Sequence, residues 1–483
     1  MSVTLNRVRR GFYADSVALM RVSRAVAALA GVEEASLMIG TPANRELLEG
    51  SGLLAEGGKG AQADDLVIAV RAKDRAAAEA ALAGAEKLLA GGQASASQGG
   101  VASVRSLASA LAALPEANLA LISVPGEFAA AEARRAIERG LHVMMFSDNV
   151  ALADEVALKR LALDKGLLLM GPDCGTAIIG GAPIAFANVV PKGDVGLISA
   201  SGTGLQEVAC LLARAGRGIS HGIGVGGRDL SEEVGGLMTL AAIEALEADP
   251  ATGHIVVISK PPARSVSDKV ASRVARCSKP VTLCLLGEGG MTLTSAAETV
   301  LGHALAQAAT TPPRSRKGWL RGLYCGGTLC NEAQLVLIAQ GVQVQSNVPV
   351  PGAAETSRVD ASAHTLIDLG DDEYTRGRPH PMIDPELRNE LLARTLADPA
   401  VSVVLLDMVI GYGAHADPAG LAAKAIEGAP AVRPVVVASI TGTEADPQGY
   451  SRQAAKLAAA GVLVVGSNAQ AAALAARVLA RAG

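Results

Sequence analysis

Five short loops of small residues each follow an apolar run of strand character. They are SDN (Ser147–Asn149), GPDCGT (Gly171–Thr176), SASGTG (Ser199–Gly204), GVGGRD (Gly224–Asp229) and CGGT (Cys325–Thr328). A strand that breaks into a Gly/Ser/Thr turn and then opens a helix makes an anion cradle. The first helical N–H groups point outward without partners, and the helix dipole favours negative charge. The fullest case is GDVGLISASGTGLQE, where Ser201, Gly202, Thr203 and Gly204 stand at the expected helix start. Gly226, Gly227 and Arg228 suit an oxyanion or phosphate, the glycines by N–H access and the guanidinium by its planar fork. The plain alternative is turn glycines beside a surface arginine. Gly326, Gly327 and Thr328 repeat the strand–small-loop–helix pattern. Cys174 is counted with these loops, but no histidine is near it in sequence. A small buried residue is therefore a more natural reading than a nucleophile.

The stretch DLGDDEYTRGRPHPMIDP, Asp368–Pro385, gathers acids, two arginines and a histidine into a proline-bounded loop where no amphipathic pattern demands them. Ordering such a loop is costly, which favours a binding role. Arg376 and Arg378 could clamp a carboxylate or phosphate bidentately. His380 could polarise a carbonyl or shuttle a proton. The acids could hold Mg²⁺, but their spacing matches no metal-binding loop, so no metal site is expected. His415, Asp417, Thr441 and Thr443, in later loops, are weaker candidates. His142, His254 and His303 lie in or beside apolar runs and read as structural, while His221 stays open.

These loops need a scaffold, and 483 residues suffice for roughly three domains. Half the residues are hydrophobic but only 2 % are aromatic, so the cores must be layers of Ala, Val, Leu and Ile. A net charge of −4 and no basic, aromatic-interleaved cluster argue against nucleic acid. No uncharged apolar window is long enough for a membrane span, and the first residues lack the apolar core of a signal peptide. The six cysteines form no CxxC pair, which fits reduced thiols. The expectation is a soluble cytoplasmic protein.

Residues 1–92 alternate strand and helix in a small sandwich of ferredoxin-like kind, with Asp15 as a helix cap and VRRGFYA as the first strand. Gly91–Ser103 reads as a Gly/Ser/Ala/Gln linker. From 104 the rhythm is strictly βαβα with near-continuous apolar strands, as in a doubly wound parallel sheet. It runs through 104–192 and 193–310, crosses a Pro/Arg-rich hinge at 310–318, and resumes in a further α/β domain at 319–483. Ligand loops should gather at the carboxyl ends of these strands.

From Asn118 to about Pro262 the pieces GPDCGTAI, KGDVGLISASGTGLQE and GIGVGGRDL resemble the α subunit of succinyl-CoA synthetase. Over nearly the whole chain MIGTPAN, NLALIS, VMMFSDNV, IAFANV, GGRDLS, CGGTL, IDLGDD and GRPHPMIDP resemble the acyl-CoA synthetase-like FdrA family. The resemblance implies an α/β fold in which the small N-terminal sandwich precedes a Rossmann-like domain of the CoA-binding type. Flavodoxin-like, ligase-type domains with parallel sheets would follow. The chain departs from those ligases where they carry a phosphorylated histidine in a GHAGA segment, because Pro261–Lys279 holds no histidine. Only GGVASVRS stands in place of the glycine-rich CoA-phosphate loop, and no ATP-grasp pattern follows.

FdrA-like proteins are associated with oxamate carbamoyltransferase, acting with two partner subunits in allantoin breakdown. The resemblance thus implies a hetero-oligomeric transferase subunit taking carbamoyl phosphate and oxamate to oxalurate and phosphate, with no cofactor required. Phosphate would bind at Ser201–Gly204 and Gly226–Arg228, with Arg376, Arg378 and His380 near the acceptor. The alternatives are an acyl-CoA ligase subunit using CoA and ATP/Mg, or a scaffold whose partner carries the active site.

Overall fold

The computed structural model describes residues 2–12, 16–96, 104, 106–287, 291–306, 312–375 and 379–481. Asp15, Arg376 and Arg378, together with most of the expected linker, lie outside the described residues. The chain divides into two compact units, residues 1–105 with the short 375–379 segment, and the remainder.

The first unit holds three strands, Val3–Arg9, Val32–Ile39 and Leu66–Ala72, with the last in the centre and antiparallel to both others. This is a split β-α-β arrangement of ferredoxin-like kind. Alternation drives it: Leu66, Ile68 and Val70 enter the main core with Leu19, Val26, Leu82 and Leu89, while Val67 and Ala69 face a second cluster with Leu48 and Leu53. The first strand ends before Gly11, whose φ of +55° turns the chain, so it lies earlier than the sequence reading placed it. The helix Arg75–Ala96 also runs past Gly91 and Gly92, shortening the expected linker. An alanine-rich run has enough helix propensity to carry two glycines.

The second unit contains three sheets. Strands Leu119–Ile122, His142–Met145 and Leu169–Met170 form a parallel sheet in sequential order. In the next sheet the four parallel strands lie in the order Val281–Leu285, His254–Ser259, Lys192–Ser199, Ile219–Gly224. This is the flavodoxin-like 2-1-3 arrangement, which opens a crevice between the first and third strands at their carboxyl ends. A hairpin, Thr176–Ile179 with Ala182–Ala185, adds antiparallel to its outer edge. By sequence position that hairpin fell within 104–192, but its partner is the strand Ile219–Gly224. The third sheet has seven parallel strands, with Trp319–Tyr324 between His364–Asp368 and Val401–Val409.

The strand Val401–Val409 is buried along its whole length, as expected of a parallel strand covered on both faces. The helices Gly202–Arg214 and Gly327–Ala339 are buried along most of their length, and one continuous core takes in both. Among the described residues no helix is long and apolar enough to cross a membrane.

Candidate functional site

The carboxyl ends of strands from all three sheets of the second unit meet at one cleft. The strand Lys192–Ser199 breaks at Ala200, and Ser201 caps the helix that follows, its Oγ accepting from Gly204 N at 2.9 Å. The strand Trp319–Tyr324 breaks at Cys325 and Gly326, whose N–H groups both donate to the buried Asp407 carboxylate at 2.8 Å. Asp407 is backed by Arg388, 3.8 Å away, and fixes the turn that presents Gly327. The two helix starts touch, because a Cβ placed on Gly326 would lie 3.0 Å from Thr203 Cγ2. Two thirteen-residue helices therefore aim their positive ends into the same space.

Buried acids hold this approach from behind. Thr441 Oγ1 donates to Glu207, and Asn468 bridges the two helices by donating from its backbone to Glu207 (3.2 Å) and from its side chain to Glu332 (2.7 Å). Leu293 N donates to the other Glu332 oxygen at 2.6 Å. Burial pushes both carboxyls up, Glu332 to about 7.

Three charged groups line the cleft itself. Lys260 follows the strand His254–Ser259 at the crevice of the 2-1-3 arrangement, and its Nζ would lie 3.2 Å from a Cβ on Gly327. The Asp368 Oδ2 would lie 2.5 Å from that same Cβ. Asp368 is held by a reciprocal backbone pairing with the Asn347 side chain, 2.9 Å each way, and by Gly370 N at 2.9 Å. Burial raises its carboxyl to about 6 against the opposing pull of Lys260. Asp173 follows the strand Leu169–Met170 and is exposed to solvent. Desolvation and neighbouring Asp148 raise it to about 6, again against Lys260. One ammonium thus serves two carboxyls that titrate close to neutrality, at the mouth of two helix dipoles. Such an arrangement can bind a phosphoryl group and move a proton.

The expected residues divide. Ser201–Gly204 and Gly326–Thr328 meet at the cleft, although the Ser201 hydroxyl serves the helix as its cap. His380 stands close by, its Nε2 2.6 Å from a Cβ on Gly370 and that point 3.1 Å from Asp368 Oδ1. Met382 N donates to His380 Nδ1 at 3.2 Å, which puts the ring proton of the neutral form on Nε2. Burial lowers the ring to about 4, so it is neutral at pH 7 and acts only as a donor at Nε2. Gly227 lies near Asp173, whose Oδ2 would be 3.5 Å from a Cβ placed on it.

Other expectations are corrected. Cys174 is the small buried residue the sequence favoured, its thiol facing the Thr176 and Gly224 carbonyls at 3.5 Å and pushed up to about 12 by desolvation, so only its place among the ligand-binding residues is corrected. Gly226 has φ +88° and its Cβ would strike Pro172 O at 2.5 Å, which makes it a packing glycine. Arg228 is not a wholly free fork, because its Nη2 is engaged with buried Glu155 and Val150 O, both at 2.8 Å, yet the side chain stays half exposed and its charge reaches Asp173. Glu155 belongs in turn to a buried network with Lys159 and Asp229. His221 accepts from Gly180 N and faces Asp249, away from the cleft.

Lys260 was not singled out from sequence, and Asp173 and Asp368 lay within the named GPDCGT and Asp368–Pro385 stretches without a role of their own. The available signal for Lys260 was a lysine just beyond the apolar run Ile255–Ile258, directly before Pro261-Pro262.

Residues 323–478 match the CoA-ligase family, and residues 1–105 match the AllF heavy metal-associated domain. Residues 1–105 contain neither cysteine nor histidine, the thiolate and imidazole ligands of most such sites. The chain is 28 % identical to the succinate–CoA ligase [ADP-forming] α subunit of Methanothermobacter thermautotrophicus, over 44 % of this chain and 65 % of that one. A dinucleotide-forming acetyl-coenzyme A synthetase of Ca. Korarchaeum cryptofilum aligns in structure with a TM-score of 0.30 and 16 % identity, covering 75 % of this chain and 83 % of that one. Uncharacterized protein YahF of Escherichia coli K12 is 41 % identical, over 95 % of this chain and 96 % of its own length. The chain belongs to the family of YahF, an acyl-CoA synthetase-like family of the CoA-ligase kind.

Proposed function

We propose that this chain binds an acyl phosphate at the paired helix starts and transfers the acyl group, with carbamoyl phosphate as donor and oxamate as acceptor. It would act as one subunit of an FdrA-like hetero-oligomer. The observation that supports this reading is the contact of the Gly202 and Gly327 helix starts, with Lys260 beside them and Asp173 and Asp368 flanking it. The amide nitrogen of the acceptor attacks the carbonyl carbon and a C–N bond forms. The C–O bond to phosphate breaks, and phosphate leaves with the electron pair towards the helix N–H groups and Lys260. The nitrogen's proton passes to one of the two carboxylates, which are mostly ionised above pH 6. Neither a covalent imidazole nor a cofactor is needed on this route.

A second reading, a CoA–acid ligase subunit, is favoured by the CoA-ligase match over residues 323–478 and by relatives named as ligase subunits. It uses the same cradle for the phosphoryl group and adds CoA and a nucleotide. The two are separated by supplying labelled carbamoyl phosphate and oxamate to the chain alone and with its partner subunits, beside an arm with ATP/Mg, CoA and a carboxylic acid. Oxalurate formation that is lost in Lys260→Ala with the fold intact supports carbamoyl transfer. CoA-dependent ATP hydrolysis without oxalurate rejects it in favour of the ligase. Activity of the complex that survives Lys260→Ala and Asp368→Asn would make this chain a scaffold.

A further inference from the structure

Behind the cleft lies a buried charged cluster that the acyl-transfer route does not use. The helix Leu152–Asp164 carries Glu155 and Lys159 one turn apart, and both are buried, as is Asp229 just past Gly226–Arg228. An ammonium has three hydrogens, and each of those on Lys159 has an acceptor. Its Nζ donates to Glu155 Oε1 at 2.8 Å, to Asp229 Oδ1 at 2.8 Å and to Val225 O at 3.1 Å. Val225 and Asp229 flank the Gly226–Arg228 loop, so one buried cation ties both of its ends to the neighbouring helix. The other oxygens are used as well. Glu155 Oε2 pairs with Arg228 Nη2 at 2.8 Å, and Asp229 Oδ2 accepts from Thr239 N and Oγ1 at 2.8 and 2.7 Å.

Desolvation offsets most of what a buried ion pair gains, so well-packed apolar residues would serve stability here equally well. What the cluster does provide is one fixed conformation for the loop, and that loop faces the cleft. A Cβ on Gly227 would lie 3.5 Å from Asp173 Oδ2 and 4.0 Å from Ala200 O, directly before the Ser201 helix start. Arg228 comes next, anchored through Nη2 to Glu155 and Val150 O but with its side chain 47 % exposed. Its Nη1 and Nε have no hydrogen-bond partner among the described residues, which leaves charge and donors for an anion.

We propose that Lys159 is a positioning residue: it clamps the Gly226–Arg228 loop so that Arg228 holds the carboxylate of a small acceptor beside Asp173. The inference rests on the acyl-transfer reading for the identity of that acceptor.

The test measures equilibrium binding of oxamate and of inorganic phosphate to the full chain by calorimetry, with circular dichroism confirming the fold. Arg228→Gln should weaken oxamate about tenfold to hundredfold, the loss of one charge-assisted contact, and Lys159→Met about tenfold. Phosphate, held at the paired helix starts, should change by at most about threefold in each, since only a more distant charge is altered. Because Lys159 acts through Arg228, adding Lys159→Met to Arg228→Gln should cost little more than Arg228→Gln alone, which a double-mutant cycle reads. Where Lys159→Met does not fold, Lys159→Met/Glu155→Gln, which removes one charge of each sign, takes its place with the same expected loss. Oxamate binding that these folded variants leave unchanged overturns the proposal. So do fully additive losses, or an equal loss of phosphate, which would mark a general loosening. A wild-type chain that binds no oxamate at millimolar concentration overturns it too. The expected binding pattern without oxalurate formation by the complex rejects carbamoyl transfer and leaves the positioning role standing.

Discussion

Asp173 and Asp368 both feel the Lys260 charge, with Arg228 a weaker second influence on Asp173, and that sets what each substitution should do. Both carboxyls sit near 6 because burial opposes their charge while Lys260 favours it. At pH 7.5 they are mostly ionised and repel a phosphate that the helix starts attract. Asp173→Asn should therefore tighten inorganic phosphate binding several-fold at pH 7.5 while slowing transfer, a split that calorimetry and turnover assays measure separately. Lys260→Met should act in the opposite sense on binding. Losing one charge-assisted contact should weaken phosphate by about tenfold to hundredfold. The same change removes what holds the two carboxyls down, so NMR titration should find both moved further above 6. Unchanged titration of Asp173 and Asp368 in that variant would separate Lys260 from the pair.

The elements explain why glycines in neighbouring loops carry different duties. Gly226 turns with positive φ against Pro172, so Gly226→Ala is strained in two ways and should cost about 2 kcal/mol or more in a denaturant melt. Gly327 begins a helix, where alanine is favourable, yet its Cβ would enter the space of Asp368 Oδ2 and Lys260 Nζ. Gly327→Ala should therefore displace the Asp368 carboxyl and remove phosphate binding, at a stability cost smaller than that of Gly226→Ala. From the sequence both stand in the same kind of small-residue loop after a strand. What separates them is a contact with a residue 54 positions away in one case and 41 in the other (226 − 172 and 368 − 327).

At the scale of the whole molecule, buried acids join the two cleft-forming helices. Glu332 is raised from 4.5 to about 7 by burial, with Glu207 adding to the rise. A carboxyl whose pKa is higher in the folded than in the unfolded chain favours the fold while protonated. That contribution is full below pH 4.5 and is lost as pH climbs towards 7. Thermal stability should fall across this window, and Glu332→Gln, which keeps the shape without the charge, should flatten the fall. A steeper dependence in Glu332→Gln would contradict the assignment.

Much of the architecture was legible because it is written in local periodicity. Apolar runs such as VSVVLLDMV and HIVVIS alternate with amphipathic helices, and each ends in small residues, which specifies parallel α/β layers and the edge where ligand loops collect. The sequence by itself determined the strand–loop–helix units, the anion-cradle character of Ser201–Gly204 and Gly326–Thr328, and the lack of a histidine from Pro261 to Lys279. Only the tertiary structure decided which loops share a cleft. It brought in Lys260, Asp173 and Asp368, turned Cys174 and Gly226 inward, engaged Arg228 with Glu155, and added the Thr176–Ala185 hairpin to the second sheet. The physical reason is that periodicity records which face of an element is buried, whereas pairing across a cleft depends on sheet order and on contacts between residues far apart in the chain.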